Sequence, residues 1–155
     1  MTVFRVARRD YADLSGRGGT RYAGRWHKKG HPIIYAAGSV ALAALEYAVH
    51  TSVRPVDSVL MEIEVPDGVA VTIEDRIGGE LPGNWSFVEE QSRQLGTDWL
   101  LEGKILMLSV PSVVIPFERN LLLNPRHHEF GSVVIKKVAP FFFDPRIFGA
   151  GGKTP

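Results

Sequence analysis

The chain has 155 residues, 45% of them hydrophobic and 23% charged, with a formal net charge of +1 and no cysteine. This is the length of one ordinary domain, and the composition excludes a disulfide framework, a thiolate metal site and a cysteine nucleophile. Near-neutral charge gives no global reason for nucleic-acid or membrane binding, and no apolar run nears the roughly 18 residues of a membrane span.

In chain order, Val3 to Ala7 reads as a first strand, and Ser15-Gly16-Arg17-Gly18-Gly19-Thr20 as a flexible loop. Pro32 to Ala36 has the length and β-branched content of a buried strand. Ser39 offers an N-cap for a helix from Val40 to His50. Val59, Met61, Ile63 and Val65 alternate with a mostly polar second face, which is strand periodicity. Ser86-Phe87-Val88-Glu89 matches a capping box, predicting a helix that ends near Gly96, with a second helical segment from Thr97 to Leu101 closed by Gly103. Lys104 to Val110 reads as an apolar strand stopped by Pro111. Val113 to Ile115, Leu121 to Leu123 and Val133 to Val138 are further strand candidates. Many strands with two or three helices, in no regular βαβ order, predict an α+β fold. Residues 149–155, Gly-Ala-Gly-Gly-Lys-Thr-Pro, read as a flexible tail beyond a single domain at 1–148.

Charge is unevenly spread. The first 30 residues hold Arg5, Arg8, Arg9, Arg17, Arg21, Arg25, Lys28 and Lys29 against Asp10 and Asp13 alone, which calls for an anionic substrate or an acidic partner. The start of the sequence lacks the apolar core of a signal peptide. Together with the absence of cysteine this makes a cytoplasmic location the expectation.

Glu46 is the only carboxylate in its helix, between Leu42 and Val49 on the flank of the apolar stripe. It is either a solvated flank residue or a group paired at a cleft edge, because burying it unpaired is costly. Upstream, Arg21-Tyr22-Ala23-Gly24-Arg25-Trp26 packs two guanidinium groups and two aromatics around a glycine. Arginine forks suit phosphate; an arginine stacked on Trp26 in a surface loop would look the same. Tyr35 lies in a buried strand, where its hydroxyl needs a partner or the ring simply fills the core. His127-His128-Glu129 has the residue types of a metal site. Adjacent side chains rarely converge on one ion and no HExxH spacing is present, so no metal is expected. No G-x-S-x-G elbow accompanies any serine.

In order, Phe4-Arg5-Val6, Tyr22-Ala23-Gly24-Arg25-Trp26, Ile34-Tyr35, Ala44-Leu45-Glu46, Val110-Pro111-Ser112-Val113-Val114-Ile115-Pro116, Asn120 to Pro125 and Phe143-Asp144-Pro145-Arg146 resemble the RES domain. That family is named for an arginine, a glutamate and a serine, and its members are mainly toxins of bacterial toxin–antitoxin pairs. The resemblance implies a fold related to ADP-ribosyltransferases and NAD as substrate rather than as bound cofactor. It implies catalytic roles for Arg25, Tyr35, Glu46 and Ser112, with Ser109 the other candidate for the serine. It implies NAD contacts from Arg5, Tyr22, Trp26, Asn124 and His127. His27 departs from the pattern, where a small polar residue such as asparagine is expected. The activity implied is cleavage of the nicotinamide–ribose bond, by glycohydrolase- or phosphorylase-like chemistry or by ADP-ribosyl transfer to a protein. The implied partners are an antitoxin with a helix-turn-helix domain and a second copy of the chain. A non-catalytic partner- or nucleic-acid-binding module is the alternative of another class, supported only by the arginine cluster.

Overall fold

The computed structural model describes residues 1–148; the expected tail at 149–155 lies outside the described residues. Seven strands form a single mixed sheet: β1 (Thr2–Arg8), β2 (Ile34–Ala37), β3 (Ser58–Glu64), β4 (Ala70–Thr72), β5 (Met107–Pro111), β6 (Arg119–Leu123) and β7 (Val134–Phe141). Their order is β4-β5-β6-β2-β1-β3-β7, with β4 and β5 parallel and the other neighbours antiparallel. Four α-helices accompany them: α1 (Arg17–Arg21), α2 (Val40–Ala48), α3 (Ile73–Ile77) and α4 (Glu89–Glu102). The fold is α+β as expected, but the strands join one sheet rather than several small ones. The two five-residue helices α1 and α3 and the three-residue β4 were too short for periodicity to reveal. Among the described residues no helix is long and apolar enough to cross a membrane.

Side chains alternate across the sheet. Val3, Ile34, Ala36, Met61, Met107 and Leu121 belong to one buried layer. The intervening residues meet the helices in two separate clusters. Leu42, Ala43 and Ala48 of α2 pack on Val6 and Ala37, while Ile73 of α3 and Trp99 and Leu100 of α4 pack on Leu108, Val110 and Leu122. α2 is built from good helix formers, and Ser39 accepts a hydrogen bond from the Leu42 N–H at 3.2 Å, as its sequence predicts.

Four local expectations are corrected. α4 runs unbroken through Gly96, because this glycine lies against the Trp26 backbone: a Cβ there would stand 1.9 Å from the Trp26 carbonyl oxygen. No side chain caps α4, so the capping box does not form; the Ser86 carbonyl instead accepts from Arg25 at 3.1 Å. Residues 15–20 are not a free loop. Gly16, at φ 64°, starts α1, its carbonyl accepts from Ile33 N–H at 3.2 Å, and Gly19 is buried against His31 and Ile33. Finally, residues 113–115 form the bend of the β5–β6 hairpin rather than a strand. Pro111 and Pro116 flank the bend without donors, and the Ser112 hydroxyl accepts from Ile115 N–H at 2.9 Å.

Candidate active site

β1 and β2 meet only at Phe4 and Ala37, whereas β1 pairs with β3 over seven positions. Residues of β1 and β2 around this join line a cleft of about 730 Å³, closed by α2, the segment after α1, the start of α4 and the β5–β6 hairpin. Arg5, Tyr22, Arg25, Trp26, Tyr35 and Glu46 all line it, so the structure gathers six residues expected from the sequence around one space.

Glu46 is half-buried and paired at the cleft edge. Its Oε1 accepts from Ser112 Oγ at 2.7 Å and from the Asn120 amide at 2.5 Å. Ser112 itself is 1% exposed; it reaches the cleft only through the carboxylate it holds. Ser109 points elsewhere, accepting from Arg119 Nε at 2.9 Å, because residues three apart on a strand and its turn face different ways. The geometry therefore separates the two candidate serines: Ser112, not Ser109, meets Glu46.

Tyr35 anchors the loop between α1 and β2. Its hydroxyl accepts from the Trp26 N–H at 3.2 Å and lies 2.8 Å from His27 Nδ1. His27 Nε2 lies 3.0 Å from the Tyr22 carbonyl, an acceptor only, so Nε2 carries the proton and Tyr35 donates to Nδ1. Burial lowers the His27 pKa, in keeping with a neutral ring, and burial raises that of Tyr35. Gly24 makes this possible, since a Cβ would stand 2.7 Å from both the Tyr35 hydroxyl and His27. His27 thus does a hydrogen-bonding job for which a small polar residue was expected.

The two expected arginines differ in state. Arg5 has its Nη1 enclosed and without a hydrogen-bond partner among the described residues; burial lowers its pKa, against the opposing pull of Asp13. An enclosed guanidinium group facing a cleft is costly without an anion. Arg25 is paired already, donating to the Ser86 carbonyl at 3.1 Å and to Glu89 at 3.2 Å. The other Glu89 oxygen accepts from Arg93 at 2.8 Å, and Arg93 Nε donates to the Gly24 carbonyl at 2.9 Å. Arg93 and Glu89 also line the cleft. Sequence reading missed this pair, whose only local sign is Glu-to-Arg spacing at i, i+4.

Three residues expected from the resemblance to contact substrate have their side chains buried. The Trp26 indole is 1% exposed and packs on Trp85 at 5.6 Å, so its side chain belongs to the core. Asn124 is fully buried, donating to the Leu100 carbonyl at 3.1 Å and accepting from Arg126 N–H at 3.0 Å. His127 is 5% exposed, and its Nδ1 accepts from Glu129 N–H at 3.2 Å. Neither Asn124 nor His127 lines the cleft. Asn124 lies beyond β6, at the end away from Asn120, and it is Asn120 that reaches the site. The ligand atoms of His127, His128 and Glu129 do lie within 4.8 Å of one another, closer than their adjacency suggested. His128 and Glu129 border a separate hollow of about 320 Å³.

The chain matches the RES domain model over residues 2–144. It is 41% identical over 140 residues to the Prs ADP-ribosylating toxin of Sphingobium sp., a match spanning 87% of this chain and 86% of that protein. It is 41% identical over 152 residues to Toxin Res of Pseudomonas putida, spanning 96% and 100%. A chain of the MbcT–MbcA toxin–antitoxin complex of M. tuberculosis superposes with a TM-score of 0.67 over 91% of this chain and 84% of that one, at 20% identity, a likeness of fold. On the extent of the family match and of both relatives, the chain belongs to the RES domain family.

Proposed function

We propose that this protein is the toxin of a toxin–antitoxin pair and acts by cleaving the nicotinamide–ribose bond of NAD. The observation that carries this reading is Glu46: a carboxylate tethered through one oxygen at the edge of a cleft large enough for a dinucleotide, which is also lined by Arg5 with its Nη1 enclosed and unpartnered among the described residues. As the C–N glycosidic bond breaks, both bonding electrons leave with neutral nicotinamide and positive charge grows on the ribosyl carbon, as in glycoside cleavage. Glu46 holds a ribose hydroxyl and stabilises that charge. Arg5 and Arg25, which line the same cleft, bind the pyrophosphate. Tyr22, 70% exposed at the cleft rim, offers a face for one of the heterocycles. A nucleophile then adds to the ribosyl carbon and loses its proton.

The acceptor defines a second reading. The Sphingobium relative is named an ADP-ribosylating toxin, which favours a protein acceptor over water or phosphate. NAD hydrolysis and ADP-ribosyl transfer share the first step. Mass spectrometry of a target-containing extract incubated with NAD distinguishes them: a mass gain of one ADP-ribose on a protein favours transfer, and free ADP-ribose with no modified protein favours hydrolysis. In this reading the protein works in the cytoplasm as a homodimer, and a helix-turn-helix antitoxin blocks the cleft. Induced expression arrests growth and lowers cellular NAD. The Glu46→Ala variant is expected to lose about 100-fold or more of the rate while keeping its fold; arrest by an equally expressed Glu46→Ala protein would refute the reading.

A further inference from the structure

Glu46 is held through one of its two oxygens. Ser112 and Asn120 both donate to Oε1, and among the described residues no protein hydrogen bond reaches Oε2. The two donors differ in their support. Ser112 sits at a hairpin bend and shares its hydroxyl with Ile115 N–H. Asn120 lies on β6 between two strands, opposite Ala37 on one side and Val110 on the other, so its backbone is fixed by ladders on both edges. It is 9% exposed and borders the cleft. Its amide orientation follows from the partner, because an ionised carboxylate only accepts and must face the NH₂ group.

We propose that Asn120 is a positioning residue which, with Ser112, fixes Oε1 of Glu46 so that Oε2 alone is presented to the ribosyl group of the substrate. A glutamate side chain is flexible, and setting its orientation before substrate arrives removes that cost from the reaction. The role goes beyond the arginine, glutamate and serine for which the family is named, and it rests on the NAD-cleaving reading.

The test is Asn120→Asp in the full-length protein. This change keeps the shape of the side chain, removes the donor at neutral pH and sets a second carboxylate against Glu46. Nicotinamide release at pH 7.5 is expected to fall about 100-fold in kcat with KM changed less than about threefold. The deficit narrows as pH falls towards 5, where the introduced carboxyl takes up a proton and donates again. An unchanged kcat at pH 7.5, or a deficit equal at both pH values, overturns the proposal, since a packing role would give one or the other. A second measurement needs no substrate. Like charges lower the melting temperature of Asn120→Asp, and adding Glu46→Gln restores it, because the new amide donates to the introduced carboxylate. Additive effects overturn the contact. Should Asn120→Asp alone fail to fold, recovery of folding with Glu46→Gln supports the proposal and failure in both backgrounds overturns it. If the parent protein releases no nicotinamide, either alone or with a target-containing extract, the NAD reading falls, and the melting-temperature cycle still decides the Asn120 contact.

Discussion

Arg5 and His27 show what single side chains sacrifice for the site. Among the described residues Arg5 carries an enclosed nitrogen without a partner, a desolvation cost that the proposed anionic substrate would relieve. Replacing it with methionine, of similar length, is expected to raise the melting temperature while raising KM for NAD about tenfold or more with a smaller effect on kcat. Thermal melts and initial rates check this together; a KM unchanged within twofold would remove Arg5 from substrate binding. His27 is buried and neutral, its pKa lowered by burial. The unfolded chain takes up a proton here near pH 6.5, whereas the folded chain does so only at lower pH, so acidification through this window favours unfolding. The melting temperature of the parent is therefore expected to drop more between pH 7.5 and pH 5 than that of His27→Asn, which can still accept from Tyr35. Parallel pH slopes for the two proteins would show that His27 is charged or exposed in the fold.

The elements that hold these residues were legible in proportion to how local their causes are. Ser39 capping, the Ala- and Leu-rich α2, and the alternation of Val59, Met61 and Ile63 depend on neighbours in the chain, and each appears where its pattern placed it. Gly96 was read as a helix end because a glycine there has no local reason to be internal. Its reason is Trp26, far away in sequence. Helix propensity alone would make Gly96→Ala stabilising by about 1 kcal/mol. A methyl group placed 1.9 Å from a backbone oxygen reverses the sign, and the net effect is expected to be a loss of about 2 kcal/mol. Chemical denaturation measures it; a more stable Gly96→Ala protein would mean that α4 does not press on the site loop. Within the site, Glu46, Tyr35 and Arg25 were visible as chemically unusual residues in apolar or glycine-rich settings, and Arg5 through the resemblance. Asn120, Arg93 and Glu89 were not, because their meaning lies in partners 74, 69 and 64 residues away. Asn124 and His127 had the right residue types but turn into the core beyond β6.

Across the molecule, the basic start of the chain is largely balanced by folding rather than kept for a ligand. Arg8 pairs with Asp10, Arg9 with Asp57, Arg17 with Asp13, Arg25 with Glu89 and Lys28 with Glu90. Most of these pairs are exposed and contribute little to stability. Among the described basic residues of this stretch that line the cleft, Arg5 is the one with no ion pair, so on the proposed reading a pyrophosphate would meet Arg5 and compete with Glu89 for Arg25 and Arg93. The single sheet sets this arrangement: β1 supplies Arg5, β2 Tyr35 and β6 Asn120, while α2 lays Glu46 across their join. The proposed function asks one reaction step of this site, the breaking of a ribosyl bond. Incubation of the purified protein with NAD, alone and with a target-containing extract, followed by proton NMR of free nicotinamide, examines that step whichever acceptor is used. Nicotinamide release by the parent and its loss in Glu46→Gln is the expected result; release by the folded parent no greater than by Glu46→Gln, with phosphate, without it and in a target-containing extract, would contradict it and favour a non-catalytic binding module.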